Sequence, residues 1–154
     1  CLGASTMKGH KVLTSSKSDE WSTPQDFFDV VNKQYNFKWD IAATAENTKC
    51  KKFSDDSLNK DWRGKGWCWC NPPYSKVKEF SKMCYEQSMT KGQFVLLIPA
   101  RTDTRYWHEY IQFATEIRFI KGRLKFGGAS AGAPFPSALI DFNGDTYEGE
   151  QQTW

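Results

Sequence analysis

Apolar positions recur along this chain with two periods, near 3.6 and near 2, and the changes between them predict its elements. Residues 1–18 are polar and without periodicity, and predict a flexible lead. Thr23-Pro24 predicts a helix start, with Thr23 as N-cap and Pro24 at the first helical position. Phe27, Phe28, Val31 and Tyr35 follow at helical spacing. Phe37–Ile41 predicts a short strand, and 42–62, rich in polar and small residues, reads mostly as loop with a turn of helix at most. Gly66–Cys70 predicts the next strand. Val77, Phe80, Cys84 and Gln87 mark a helix over about 76–90. The continuous apolar run Gln93–Ile98 suits a central strand buried on both faces, and Pro99 ends it. Tyr106, Trp107, Tyr110 and Ile111 suggest another helix. Ile117–Ile120 and Leu124–Phe126 flank Lys121-Gly122 and predict a hairpin. A Gly/Ala/Pro-rich loop follows over 127–136, then a last strand, Ser137–Phe142. This order predicts an α/β sandwich with a single domain over 19–143 and a polar tail over 144–154.

Composition narrows this frame. The 154 residues suffice for one core, and with 25% charged and 16% aromatic residues the chain reads as globular. Seven Trp and eleven Phe are many for this length, so some should line a binding surface. The formal charge of +3 is small, so nucleic-acid affinity would need a local basic face. No run of 18 apolar residues is present, and no membrane span is expected. Cys1–Met7 lacks a signal-peptide pattern, which leaves open an origin outside the native chain. The five cysteines are odd in number and form no C-x2-C pair. A zinc site from Cys50, Cys68 and Cys70 is the minor reading. Reduced, mostly buried thiols are the main one, and no metal is expected.

The chemistry concentrates at Asn71-Pro72-Pro73-Tyr74, directly after the strand 66–70. Two consecutive prolines cannot continue a ladder, so they make a stiff turn at the carboxyl end of a strand, the edge at which open α/β sheets bind ligands. The turn offers an amide, an unpaired carbonyl and an aromatic face. An exocyclic amine needs such a set: two acceptors for its two N–H groups and a ring to stack on. The plain alternative is an incidental Pro-Pro turn. The tetrapeptide resembles the catalytic motif of S-adenosylmethionine-dependent amino-methyltransferases. That resemblance implies that Asn71 and the Pro72 carbonyl accept from a target amine, whose lone pair then faces the sulfonium methyl, while Tyr74 stacks on the target.

A methyl donor needs its own pocket. Thr23-Pro24 places a hydroxyl and free N–H groups at a helix N-terminus, which attracts carboxylates. Asp40-Ile41-Ala42-Ala43 ends a strand with one carboxylate, suited to an ammonium group, followed by small residues that let a ligand approach the backbone. Plain capping and a solvated loop acid are the bland readings of the two segments.

Six segments in order then resemble the phage-type DNA N6-adenine methyltransferases: Glu20–Pro24; Asp40–Ala43 with Asn47; Asp61-Trp62; Asn71–Tyr74; Leu97–Asp103; and Arg123–Phe126 with Ala133–Ser137. The resemblance covers about 19–142. It implies a compact, reduced S-adenosylmethionine-dependent methyltransferase fold, a Rossmann-like three-layer α/β sandwich. Only about 30 residues separate Asp40 from Asn71, so two strand–helix units of the full fold should be shortened or missing. The glycine-rich cofactor loop of larger relatives is absent, and Asp40–Ala43 stands in its place. The implied cofactor is S-adenosylmethionine, held by Thr23, Pro24, Asp40 and Ala42. Asp61 is a candidate for the cofactor's adenine amine and Glu46 for its ribose, though both read equally as solvated acids. The implied catalytic set is Asn71, Pro72, Pro73 and Tyr74. The implied partner is DNA, with its target adenine flipped out of the duplex.

Phosphates would be held by Arg101, Arg105, Lys121, Arg123 and Lys125, with Arg118 a further candidate. Lys121, Arg123 and Lys125 alternate on the expected hairpin and so share a face. Arg101 follows the central strand at the ligand edge. Lys49, Lys51 and Lys52 read as solvated loop. The expected setting is the bacterial cytoplasm with a phage or prophage origin, as monomer or homodimer. RNA adenine and a glutamine side chain are alternative substrates for the same tetrapeptide, and an inactive nucleic-acid-binding module is an alternative class. A cytosine C5 enzyme is disfavoured, because it needs a Pro-Cys turn and Cys70 precedes Asn71 instead.

Overall fold

The computed structural model describes residues 21–144. The lead expected over 1–18 lies outside them, as does all but the first residue of the tail expected over 144–154. The elements are α1 (Gln25–Tyr35), β1 (Trp39–Asp40), β2 (Lys52–Phe53), β3 (Trp67–Cys70), α2 (Val77–Ser88), β4 (Gln93–Pro99), α3 (Arg105–Glu109), β5 (Glu116–Phe119) and β6 (Ser137–Phe142). They form a mixed α/β domain around one six-stranded sheet of order β2-β1-β3-β4-β6-β5. β2, β1, β3 and β4 run parallel, and β6 is antiparallel to both β4 and β5. This architecture is compatible with a methyltransferase-like fold.

Period-2 alternation splits the core between the two faces of the sheet. Cys68 and Cys70 of β3, with Phe94, Leu96 and Ile98 of β4, pack with Val77, Phe80 and Cys84 of α2 and Trp107 of α3. Trp69, Val95 and Leu97 pack on the other face with Phe28, Val31 and Tyr35 of α1. Each large side chain buried this way contributes about 1.5–3 kcal/mol. Four described cysteines are free thiols, and three of them, Cys68, Cys70 and Cys84, are buried. Desolvation pushes the Cys70 and Cys84 thiols well above their ordinary range. No cluster of metal-ligating side chains occurs among the described residues. Nor is any described helix long and apolar enough to cross a membrane.

Two expectations need correction. First, Thr23 is not the N-cap of α1. Pro24 occupies that position with φ −57° and ψ 132°, and no side chain caps it. The first helical bond runs from the Phe28 N–H to the Pro24 carbonyl at 3.0 Å. Second, the expected hairpin is only half present. Lys121-Gly122 does turn, with Gly122 at φ +76°, a conformation that favours glycine. No strand returns over 124–126, because its backbone bonds are taken elsewhere. The Leu124 carbonyl accepts from Ala133 N–H (2.8 Å), and Gly127 N–H donates to the Ser22 carbonyl (2.9 Å). β5 pairs with β6 instead. Lys121, Arg123 and Lys125 are therefore exposed on a loop and share no strand face. The 42–62 segment is mostly loop, as its composition suggests, and holds the two-residue edge strand β2. No helix occurs between β1 and β3, so β2 is the only regular element in that interval.

Candidate active site

The carboxyl ends of β1, β3 and β4 lie side by side, because the three strands are parallel and adjacent. Asp40, Asn71 and Arg101 sit at or just beyond those ends. Two cavities open there. The larger, about 340 Å3, is bounded by Thr23, Asp40, Ala42, Lys49, Asn71 and Pro73, and by the 55–59 loop across from them. That volume falls in the usual range of small-molecule sites. The smaller, about 10 Å3, lies against Pro72, Tyr74, Phe126 and Phe135. Trp21 and Asn71 border both cavities and so form the wall between them.

Asp40 is 3% exposed. Its Oδ2 accepts the Lys49 backbone N–H at 2.9 Å and its Oδ1 accepts from Ala42 at 3.4 Å. Burial raises its carboxyl to about 6, and the two backbone donors offset only part of that. A buried carboxylate this poorly compensated favours a cationic ligand. Lys49 therefore does more than decorate a solvated loop: its backbone fixes Asp40, and its ammonium reaches Gln25 Oε1 at 3.0 Å.

The opposite wall is Asp55–Asn59. Its signal in the sequence is weak, because the segment is polar and aperiodic. Trp62 holds it in place. The indole N–H donates to the Ser57 carbonyl at 3.1 Å, the ring is 2% exposed, and Trp62 N–H donates to Gln87 Oε1 of α2 at 2.7 Å. Asp61 next to it lines neither cavity. It pairs with Arg63 at 2.9 Å, which holds its carboxyl down at about 2. Glu46 is exposed and lines neither cavity. Pro24 also lies outside both linings, although its neighbour Thr23 belongs to the larger one.

At the tetrapeptide, Pro72 is buried, and the Pro73 carbonyl accepts from Lys76 N–H at 2.8 Å, which starts the helical turn leading into α2. Asn71 Nδ2 donates both to the Trp21 carbonyl and to Thr23 Oγ1, the latter at 3.0 Å. Tyr74 has Phe135 at 6.1 Å between ring centroids and Arg101 with its guanidinium carbon 4.9 Å from the ring centre. Trp21, Phe126 and Phe135 meet edge-on or tilted at 5.3–6.0 Å and line the smaller cavity.

Of the expected cations, the structure thus brings Arg101 to the tetrapeptide. Arg105 is exposed on α3 and pairs with Glu109 at 4.0 Å. Arg118 is committed elsewhere: it donates to Tyr35 Oη (2.6 Å) and Gln34 Oε1 (2.8 Å), and Tyr35 donates to Asp141 at 2.9 Å.

The family model for DNA N-6-adenine-methyltransferase (Dam) matches residues 10–143. The chain belongs to this family. A DNA N-6-adenine-methyltransferase of Escherichia phage T1 is 37% identical over 110 residues, covering 69% of this chain and 46% of the phage protein. One from Haemophilus phage HP1 (strain HP1c1) is 32% identical over 111 residues, covering 68% of this chain and 64% of that protein. The chain thus spans about half to two thirds of the length of these relatives.

Proposed function

We propose that this domain transfers a methyl group from S-adenosylmethionine to the N6 amine of adenine in DNA, at specific sites. The observation that carries this reading is the position of Asn71 in the wall between a large cavity that carries acidic side chains and a small aromatic one. An amine in the aromatic cavity and a donor in the larger one would meet at that residue. The two phage relatives, both named as DNA N-6-adenine-methyltransferases, support it.

The larger cavity fits the cofactor by the chemistry of its lining. Asp40 suits the ammonium group, Asp55 and Asp56 the ribose hydroxyls, and Leu58 and Phe80 the apolar faces of a base. When bound, S-adenosylmethionine supplies an electrophilic methyl. Adenine N6 is a poor nucleophile because its lone pair is delocalised into the ring. Asn71 Oδ1 and the Pro72 carbonyl accept its two N–H groups best once the nitrogen is pyramidal, so they favour the transition state over the ground state. Tyr74 stacks on the flipped base, and Arg101 with the exposed Lys121, Arg123 and Lys125 holds phosphates. The sheet with packed elements on both faces is read as a reduced Rossmann-like sandwich, and the setting as the cytoplasm of an infected or lysogenic bacterium.

Asn71→Ala tests this reading. Turnover in a tritiated-methyl assay on adenine-containing duplexes should fall about 10²-fold or more, with cofactor affinity by calorimetry little changed. Near wild-type turnover in this variant would contradict it.

A further inference from the structure

Thr23 occupies an unexpected place. Its hydroxyl neither caps α1 nor stands free in the cavity, but accepts from the side-chain amide of Asn71, 48 positions away, at 3.0 Å. The second acceptor on that amide is the Trp21 backbone carbonyl. A carboxamide has two N–H donors on one end and an acceptor oxygen on the other, and the two ends differ little in shape. Only its partners decide which end faces the reacting amine. The Trp21 carbonyl is an acceptor and nothing else, so it demands the NH2 end. The Thr23 hydroxyl takes up the same end. Thr23 is 4% exposed, so water does not readily replace it as a partner.

We propose that Thr23 is a positioning residue: together with the Trp21 carbonyl it locks the Asn71 amide with Oδ1 directed away from both, toward the acceptor side of the wall. The proposal rests on the amine-methylation reading above for its consequence, though not for its geometry. Without the lock the amide samples the reversed orientation, which would present N–H groups to an amine that needs an acceptor. Thr23 would then influence the chemical step through Asn71 and not through cofactor affinity, in contrast to the cofactor role that its place in the sequence suggests.

The test combines spectroscopy and kinetics on Thr23→Val, which keeps the shape and removes the hydroxyl, and Thr23→Ser, which restores it. In 1H–15N spectra of the free protein, the Asn71 side-chain pair, assigned by its loss in Asn71→Ala, should exchange slowly with water in wild type and Thr23→Ser. In Thr23→Val it should shift and exchange faster. In methyl-transfer assays Thr23→Val should lower kcat about tenfold with cofactor Kd unchanged, while Thr23→Ser stays within about twofold of wild type. Added to Asn71→Ala, Thr23→Val should have no further effect. If Thr23→Val weakens cofactor binding and leaves the Asn71 signals unmoved, Thr23 is a cofactor ligand and the proposal falls. If wild type methylates no adenine, the functional reading falls, and the amide signals still decide the geometry. Should Thr23→Val not fold, Thr23→Cys, a weak acceptor of similar size, is read by the same two measurements.

Discussion

The two cavities that meet at Asn71 are built in opposite ways. The larger is open at about 340 Å3, and its walls are fixed by hydrogen bonds: Lys49 and Ala42 backbone on Asp40 on one side, Trp62 on the Ser57 carbonyl on the other. The smaller has about 10 Å3 and is walled by Trp21, Phe126 and Phe135, whose rings pack against one another. Aromatic packing can rearrange without leaving a buried polar group unpaired, whereas a hydrogen-bonded wall cannot. On the reading proposed above, in which the larger cavity is the donor side and the smaller the acceptor side, the donor side is therefore preformed. The acceptor side has no room for a purine until rings move, which suits a pocket that should open only when a flipped base arrives.

The largest expected effect breaks the preformed side. Trp62→Ala should destabilise the protein by about 3–5 kcal/mol, the range for a buried Trp, and free the 55–59 loop. In denaturant unfolding the midpoint should fall, and calorimetry should show cofactor affinity falling before DNA affinity. An unchanged cofactor affinity would mean that the loop is no part of the donor site.

Asp40→Asn sharpens the contrast through pH. Burial raises the Asp40 carboxyl from 3.8 to about 6, so the folded state holds its proton more tightly than the unfolded state. The stabilisation from protonation is fully present below about pH 4 and is lost as pH rises through about 6, about 3 kcal/mol in all. Asp40→Asn should therefore flatten the thermal-unfolding profile of the free protein between about pH 4.5 and 7.5, while its amide keeps an acceptor for only one of the Lys49 and Ala42 N–H groups, which offsets the gain at pH 7. The same change should weaken S-adenosylmethionine binding by about 1–3 kcal/mol, because the charge facing the ammonium is gone. In wild type that binding should itself weaken as pH falls below about 6. A variant that keeps the wild-type pH profile would show that Asp40 is fully compensated without ligand.

The smallest effects belong to the loop beside the acceptor side. Replacing Lys121, Arg123 and Lys125 together by Ala should lower DNA affinity. It should also reduce the dependence of log K on log salt by about 0.9 for each phosphate no longer neutralised. Cofactor affinity should not move. Unaltered DNA binding would remove this loop from the docking face.

The donor side also shows where sequence reading succeeds and where it stops. β4 is legible because an unbroken apolar run has one use in an α/β sheet, and α2 because Val77, Phe80 and Cys84 share a face. Asp40 and Asn71 are legible as strand ends, and adjacent parallel strands bring such ends together. The 55–59 wall is not, since a polar aperiodic loop carries no local signal and its place depends on Trp62, which is itself anchored to Gln87, 25 positions away. Thr23 misleads because Thr-Pro is a good local start signal, while its hydroxyl is claimed by a residue 48 positions away. Leu124–Phe126 misleads because alternation with Arg and Lys looks like a strand, yet Phe126 turns into a ring cluster and Leu124 bonds to Ala133.

The most direct test of the central claim is where the methyl group lands. Duplex DNA incubated with the protein and isotopically labelled S-adenosylmethionine can be digested to nucleosides and separated by chromatography with mass detection. The account predicts label in N6-methyladenine and in no other nucleoside, with the rate of labelling about 10²-fold or more lower in Asn71→Ala. Label in cytosine, or none in DNA while the folded protein binds the cofactor, would contradict it.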